Sequence, residues 1–258
     1  MTPLDLGNDE YRSPPKRVGW IGRLFPSLSF HWSFLRTVLA ASRLARRGLY
    51  DHEAWQRSST KILRVLESVG VRFEVTGLDY VRAVHKPCLV VGNHVSTLET
   101  VVLPALLRDL TPITFVVFDR LLEVPIFNHV MRSRDPIAVR HISVRDDFKE
   151  MLSGGVQRIE RGVSLIIFPE GDRMEAFDRT KFNTIGAKLA ARTSAPIIPM
   201  AVQTRAWPVG GLFGYLGRID PSQPARIAFG PPILAADRGR GAQEALIEFI
   251  ESKLADWR

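Results

Sequence analysis

The stretch Val90–Glu99, VVGNHVSTLE, starts as an apolar run, breaks at Asn93 and His94, and carries a carboxylate at Glu99. On a continuous helix, residues five apart point about 140° away from each other. Pairing His94 with Glu99 therefore needs a turn between them. The neighbouring residues predict one. Residues 88–93 (CLVVGN) read as a buried strand ending near Gly92, and a helix opens near Ser96 or Thr97.

A carboxylate that accepts a hydrogen bond from one ring nitrogen of a histidine fixes its tautomer and frees the other nitrogen to remove a proton from a hydroxyl. That is the base-and-orienter half of a triad, without a nucleophile of its own. The same residues admit a second reading. STLE, Ser96–Glu99, is also a capping box, in which the glutamate reaches back to a backbone N–H and does no chemistry. At this stage both readings stand.

The pattern of strand followed by helix recurs downstream. Short β-branched runs at 71–77, 88–93, 113–118, 136–140, 163–168, 196–202 and 225–230 alternate with helical spacing at 97–108, 121–131, 144–161, 183–193 and 241–256. This predicts an α/β fold: a mixed, mostly parallel sheet of about seven strands flanked by helices. In such sheets ligands gather beyond the carboxyl ends of the strands. Three of the predicted strands end in useful chemistry: GNH at 92–94, Arg140, and PEGDR at 169–173. In the last, Gly171 allows close backbone approach and Arg173 offers a planar fork for phosphate oxygens.

Residues 1–17 are polar, end near SPPK, and are expected to form a flexible tail. Residues 18–69 read as an N-terminal helical element, and 70–258 as one α/β domain. The chain of 258 residues carries a net charge of +8, with pI near 10.0, which favours anionic partners. Residues 1–50 hold eight bases against three acids. Trp20, Phe25, Phe30, Trp32, Phe34, Leu35, Val38 and Leu39 are interleaved with arginines there. Arg36 interrupts the only run long enough to span a bilayer, so the segment is expected to lie in a membrane interface as an amphipathic element. An ordinary packed helix is the competing reading. No cleaved leader is expected, because Met1–Glu10 is acidic. Nucleic-acid binding has only the pI in its favour, with no basic recognition helix or zinc spacing. Cys88 reads as a small buried apolar group, and the scattered histidines give no metal-ligand spacing.

Taken together, NHVSTLE, the segment LLEVPIFNHVMRSRDPIAVR, FPEGDRM and APIIPMAV resemble, in order, the four sequence blocks of the glycerophospholipid acyltransferase family, the lysophosphatidate acyltransferases and their relatives. The resemblance covers about residues 70–230. It implies an α/β domain preceded by a helical membrane-docking element. It implies His94 as the catalytic base, with Glu99 where the family usually has aspartate, and acceptor or phosphate binding by Arg140, Glu170, Gly171 and Arg173. Lys181 is assigned more loosely, because TKFNTIG departs from the family's usual order. Asp172 replaces the usual threonine and would repel a phosphate unless turned away or paired with Arg173. The implied partners are acyl-CoA or acyl carrier protein, a lysophospholipid acceptor such as 1-acylglycerol-3-phosphate, and an anionic membrane surface at the cytoplasmic face, held peripherally or monotopically. No cofactor and no metal are implied. A catalytically silent lipid-binding relative, or one acting on a different lyso-lipid, is the alternative.

Overall fold

The computed structural model describes the chain except for residues 1–3, 5, 8, 16, 111, 141–142, 211–216 and 236–238. The strands are β1 (Tyr11–Arg12), β2 (Phe73–Thr76), β3 (Leu89–Gly92), β4 (Ile113–Phe118), β5 (Ile137–Val139), β6 (Ser164–Ile167), β7 (Ile197–Gln203) and β8 (Ala225–Phe229). They form one sheet of eight strands in the order β1-β2-β8-β7-β3-β6-β4-β5. The five strands from β7 to β5 run parallel, while β8 is antiparallel to β7 and β1 to β2.

Alternation along the central strands divides the core in two. Val90, Ile166, Ile198, Met200 and Val202 face one way. They pack under α2 (Pro26–Arg46), α3 (His52–Ser68) and α5 (Thr97–Leu106). Leu89, Val91, Leu165, Ile167, Ile197 and Ala201 face the other, against α7 (Val144–Glu160), α8 (Ile185–Thr193) and α9 (Arg240–Asp256). Both faces being covered explains why these strands read as continuous apolar runs. Because the central strands are parallel, the loops after β3, β4, β6 and β7 all leave from the same end of the sheet. Gly92 is required there: a Cβ on it would lie 2.4 Å from the carbonyl oxygen of Met200 on β7.

All seven expected strands form, and the sheet gains an eighth from the segment expected to be a loose tail. Leu4, Leu6 and Tyr11 are buried, and Tyr11 pairs with Val75 of β2. The Tyr11 hydroxyl donates to the buried Glu67 carboxylate, as does Ser13 at 2.7 Å, and Arg64 Nη1 donates to it at 3.2 Å. Burial, then the neighbouring carboxylate, pushes the Tyr11 hydroxyl well above its ordinary pKa. The segment is thus tied to α3 by polar contacts far apart in sequence, which no local periodicity records. The short helix α4 (Leu78–Arg82) was likewise not anticipated.

The helix expected over 121–131 is broken. A 3-10 turn (Asp119–Leu122) and a short helix α6 (Phe127–Arg132) flank Pro125 and Ile126, whose φ of 73° no helix accommodates.

At the N-terminus, α1 (Trp20–Leu24) leads into α2. The inner face of α2 packs Phe30, Phe34 and His31 around Trp207, with Phe30 and Phe34 edge-on to the indole at 4.7 and 5.3 Å between ring centroids. Its outer face, continued from α1, leaves Trp20, Leu24, Leu28, Trp32 and Leu35 exposed. No helix among the described residues is long and apolar enough to cross a membrane.

If the N-terminal segment is held as observed, Tyr11→Phe removes one donor to a buried carboxylate. It is expected to lower the unfolding free energy by about 1.5–3 kcal/mol, read from urea titration. A midpoint unchanged from wild type would show that the segment contributes nothing.

Candidate active site

Ser96 is the N-cap of α5, with extended backbone, and its hydroxyl oxygen accepts the Leu98 N–H at 3.1 Å. Glu99, in the first helical turn, completes the capping box by accepting the Ser96 N–H at 2.7 Å on Oε1. That same oxygen also lies 2.8 Å from His94 Nδ1 and accepts the Val95 N–H at 2.7 Å. The contacts that the sequence offered as alternatives, to the helix cap and to the ring, are therefore both made by one carboxylate oxygen. The turn at Asn93–Ser96 curls the chain so that the ring and the acid meet across the helix start.

Glu99 is fully buried. Its other oxygen, Oε2, accepts from the Ser96 hydroxyl at 2.8 Å and from the Thr204 hydroxyl. Burial by itself raises the Glu99 pKa, but the bonds and charge of His94, with Thr204 and the Ser96 N–H, outweigh it and hold the carboxyl below its ordinary value. Glu99 is thus an anion at neutral pH, facing the imidazole. Nδ1 donates to it, which leaves Nε2 as the basic nitrogen. The ring stacks on Phe168, 4.3 Å between centroids and 18° from parallel, which holds it in plane. Asn93, buried beside it, bridges to both the N–H and the carbonyl of Val202 on β7, at 2.9 and 3.0 Å, and locks the turn to the sheet.

The loop after β6 wraps over this turn. Pro169 and Glu170 sit in a turn closed by the Gly171 N–H donating to the Phe168 carbonyl at 3.0 Å, with Gly171 at φ 79°. That N–H is therefore committed within the turn. Glu170 accepts the His94 backbone N–H at 2.9 Å on one oxygen and the Asp178 N–H at 3.4 Å on the other. Its carboxylate is spent on holding the two loops together. Burial raises its pKa above the ordinary value, the His94 N–H opposing. Arg173 reaches over to donate to Thr97 Oγ1 at 2.8 Å.

These groups open on a cavity of about 850 Å³. His94, Thr97, Glu170, Gly171, Asp172 and Arg173 form its polar end. The remainder is mostly apolar: Leu28, Val38 and Ala41 from α2, Trp55 and Ile62 from α3, and Phe115 and Val117 from β4. Arg120, beyond the end of β4, joins the wall with its guanidinium 5.0 Å from the Phe118 ring centre. No periodic or motif signal marks Arg120, nor Thr204, which meets the site only because β7 neighbours β3. Arg140 and Lys181 are exposed and are not part of the cavity wall. Arg140 ends the edge strand β5, where its backbone N–H donates to Asp147 at 2.9 Å. Among the described residues no cluster of His, Cys, Asp or Glu could hold a metal ion.

Comparison with known proteins agrees with this geometry. A family model described as Acyltransferase matches residues 72–203. A 1-acyl-sn-glycerol-3-phosphate acyltransferase of Pseudomonas aeruginosa is 28% identical over 235 residues, covering 90% of this chain and 86% of that protein. A probable enzyme of the same name from Mycoplasma genitalium is 30% identical over 120 residues, 45% of this chain and 44% of its own. The crystal structure of the 1-acyl-sn-glycerophosphate (LPA) acyltransferase PlsC from Thermotoga maritima shares the fold, with a TM-score of 0.66 at 16% identity over 92% of this chain and 96% of that one. The family match spans half of the chain and takes in the His94 turn, the 168–173 loop and β7, so the chain belongs to the acyltransferase family.

Proposed function

We propose that the chain moves a fatty acyl group from the thioester of acyl-CoA or acyl carrier protein to the hydroxyl of a 1-acylglycerol-3-phosphate-like acceptor, giving a phosphatidate. The observation that carries this reading is the 2.8 Å contact of His94 Nδ1 with a buried, anionic Glu99 at the mouth of an apolar cavity. Nε2 takes the proton of the acceptor hydroxyl as its oxygen attacks the thioester carbonyl. Glu99 balances the imidazolium that forms. The tetrahedral adduct collapses with cleavage of the C–S bond, and the leaving sulfur recovers the proton from Nε2. The new C–O ester forms without a covalent acyl-enzyme, and the thioester supplies the activation.

The acceptor's phosphate is proposed to lie against Arg173, with Arg120 on the same cavity wall, as bidentate forks suited to its oxygens. Arg140 and Lys181, exposed and outside the wall, would act on it only at longer range. The apolar part of the cavity has the chemistry of an acyl-chain site.

Membrane docking through α1 and α2 is supported by their outer face. Trp20 and Leu28 are 72% and 70% exposed. Between Glu10 and Asp51 the chain holds Arg12, Lys16, Arg17, Arg23, Arg36, Arg43, Arg46 and Arg47 and no acid. Aromatic and aliphatic groups enter the interface while the guanidinium groups meet anionic headgroups. A peripheral or monotopic position on the cytoplasmic leaflet follows from this reading.

In a transfer assay from labelled acyl-CoA or acyl carrier protein to lysophosphatidate, His94→Ala is expected to abolish turnover and Glu99→Ala to reduce it severely. Equal rates in wild type and His94→Ala would end the proposed mechanism and leave a silent lipid binder. For docking, the pair Leu28→Ser and Trp32→Ser should weaken binding to anionic vesicles by at least roughly 100-fold, since each side chain withheld from the interface forfeits about 1.5–3 kcal/mol. Undiminished flotation with the vesicles would refute it. Because the Glu99 pKa is lowered in the fold, its charge contributes stability above the ordinary value of 4.5 that is lost as pH falls through the folded value. The stability difference between wild type and Glu99→Gln should be largest above that pH and shrink below it, as urea titrations across pH 3–7, roughly the range in which carboxylates protonate, will show.

A further inference from the structure

We infer that Thr204 is the positioning residue of the dyad, and that it makes a glutamate competent where the family usually has the shorter acid; the inference rests on the acyl-transfer reading above. Thr204 follows directly on β7 and is fully buried. Its hydroxyl donates to Glu99 Oε2, and the Ser96 hydroxyl donates to the same oxygen at 2.8 Å. The two hydroxyl oxygens are 3.0 Å apart. Each hydroxyl has one proton to give: that of Thr204 goes to Oε2, that of Ser96 has Oε2 and the Thr204 oxygen within reach, and Ser96 keeps a lone pair for the Leu98 N–H at 3.1 Å.

The carboxylate is thereby divided between two tasks. Oε2 is anchored by side-chain hydroxyls, and Oε1 is left to the ring and to the N–H groups of Val95 and Ser96. Thr204 lies 105 residues from Glu99 in sequence, so this second anchor reaches Oε2 only through the fold, beside the local one from Ser96. Its loop is pinned. Trp207, 1% exposed, is wedged edge-on against Phe30 and Phe34 of α2. A carboxylate that must touch the ring with one oxygen and the end of β7 with the other needs reach. Aspartate, one methylene shorter, would keep His94 only by giving up Thr204. Glutamate and threonine are a matched pair in this chain.

Thr204 does not line the cavity, so its loss should spare substrate binding and act on the chemical step. The test measures kcat and KM for acyl transfer by the full chain with Thr204→Val, Thr204→Ser, Glu99→Asp and the double variant Glu99→Asp/Thr204→Val. Thr204→Val is expected to lower kcat about 10- to 100-fold at unchanged KM, and Thr204→Ser to restore it. Glu99→Asp should also lower kcat, with little further loss in the double variant, because both changes break the same bond. A kcat for Thr204→Val within about twofold of wild type would overturn the inference. So would an equal fall in Thr204→Ser, or losses that multiply in the double variant. Should Thr204→Val fail to fold, Glu99→Asp decides alone: a kcat equal to or above wild type overturns the pairing. If the wild type transfers no acyl group, or His94→Ala matches it, the parent reading fails instead, so the two failures are distinguishable.

Discussion

The active end of this molecule is organised around one buried negative charge. A carboxylate taken out of water persists as an anion only when surrounding donors replace its hydration. Glu99 meets that condition with two backbone N–H groups, two hydroxyls and an imidazole. These five partners come from three parts of the local architecture: the turn after β3, the cap of α5 and the end of β7. Satisfying the charge therefore fixes how those elements meet. The orientation of the His94 ring against Glu99 is thus set by the fold itself.

The second organising feature is that α2 has two unlike faces with two destinations. Inward, Val38 and Ala41 wall the cavity, and Phe30 and Phe34 hold Trp207. Outward, Leu28, Trp32 and Leu35 meet solvent. Leu28, Trp32 and Leu35 also contribute to the cavity wall, so the exposed apolar face and the cavity share these side chains. Among the described residues, the arginines of α1 and α2 form no ion pair with an acidic side chain; the ion pairs observed lie elsewhere.

Much of the architecture was legible because its signals are local. The β-branched runs ending at Gly92 and Ile167 alternate between two apolar faces, and that period survives in the finished sheet. Ser96 followed by Glu99 marked a helix start that forms where expected. Misreadings arose where structure depends on partners distant in sequence. Tyr11 and Ser13 sit in a polar segment with no periodicity, yet Glu67 holds them in place. Pro125 and Ile126 break a stretch whose apolar spacing suggested one helix. The ties of Glu170 to the His94 and Asp178 N–H groups likewise had no local signal.

By itself the sequence determined the class of fold and singled out His94 and Glu99 as a candidate pair, since hydrophobic period and the His94–Glu99 interval are properties of consecutive residues. It could not choose between a capping glutamate and an orienting one, because both roles demand the same residues at the same spacing. Tertiary structure resolved that choice by giving Glu99 two oxygens with different neighbours, one toward the ring and the helix cap, the other toward Thr204. The order of strands alone brings the end of β7 beside the turn after β3. Hydrogen bonds between residues a hundred positions apart are set by how the sheet is wound, and no window of sequence contains them.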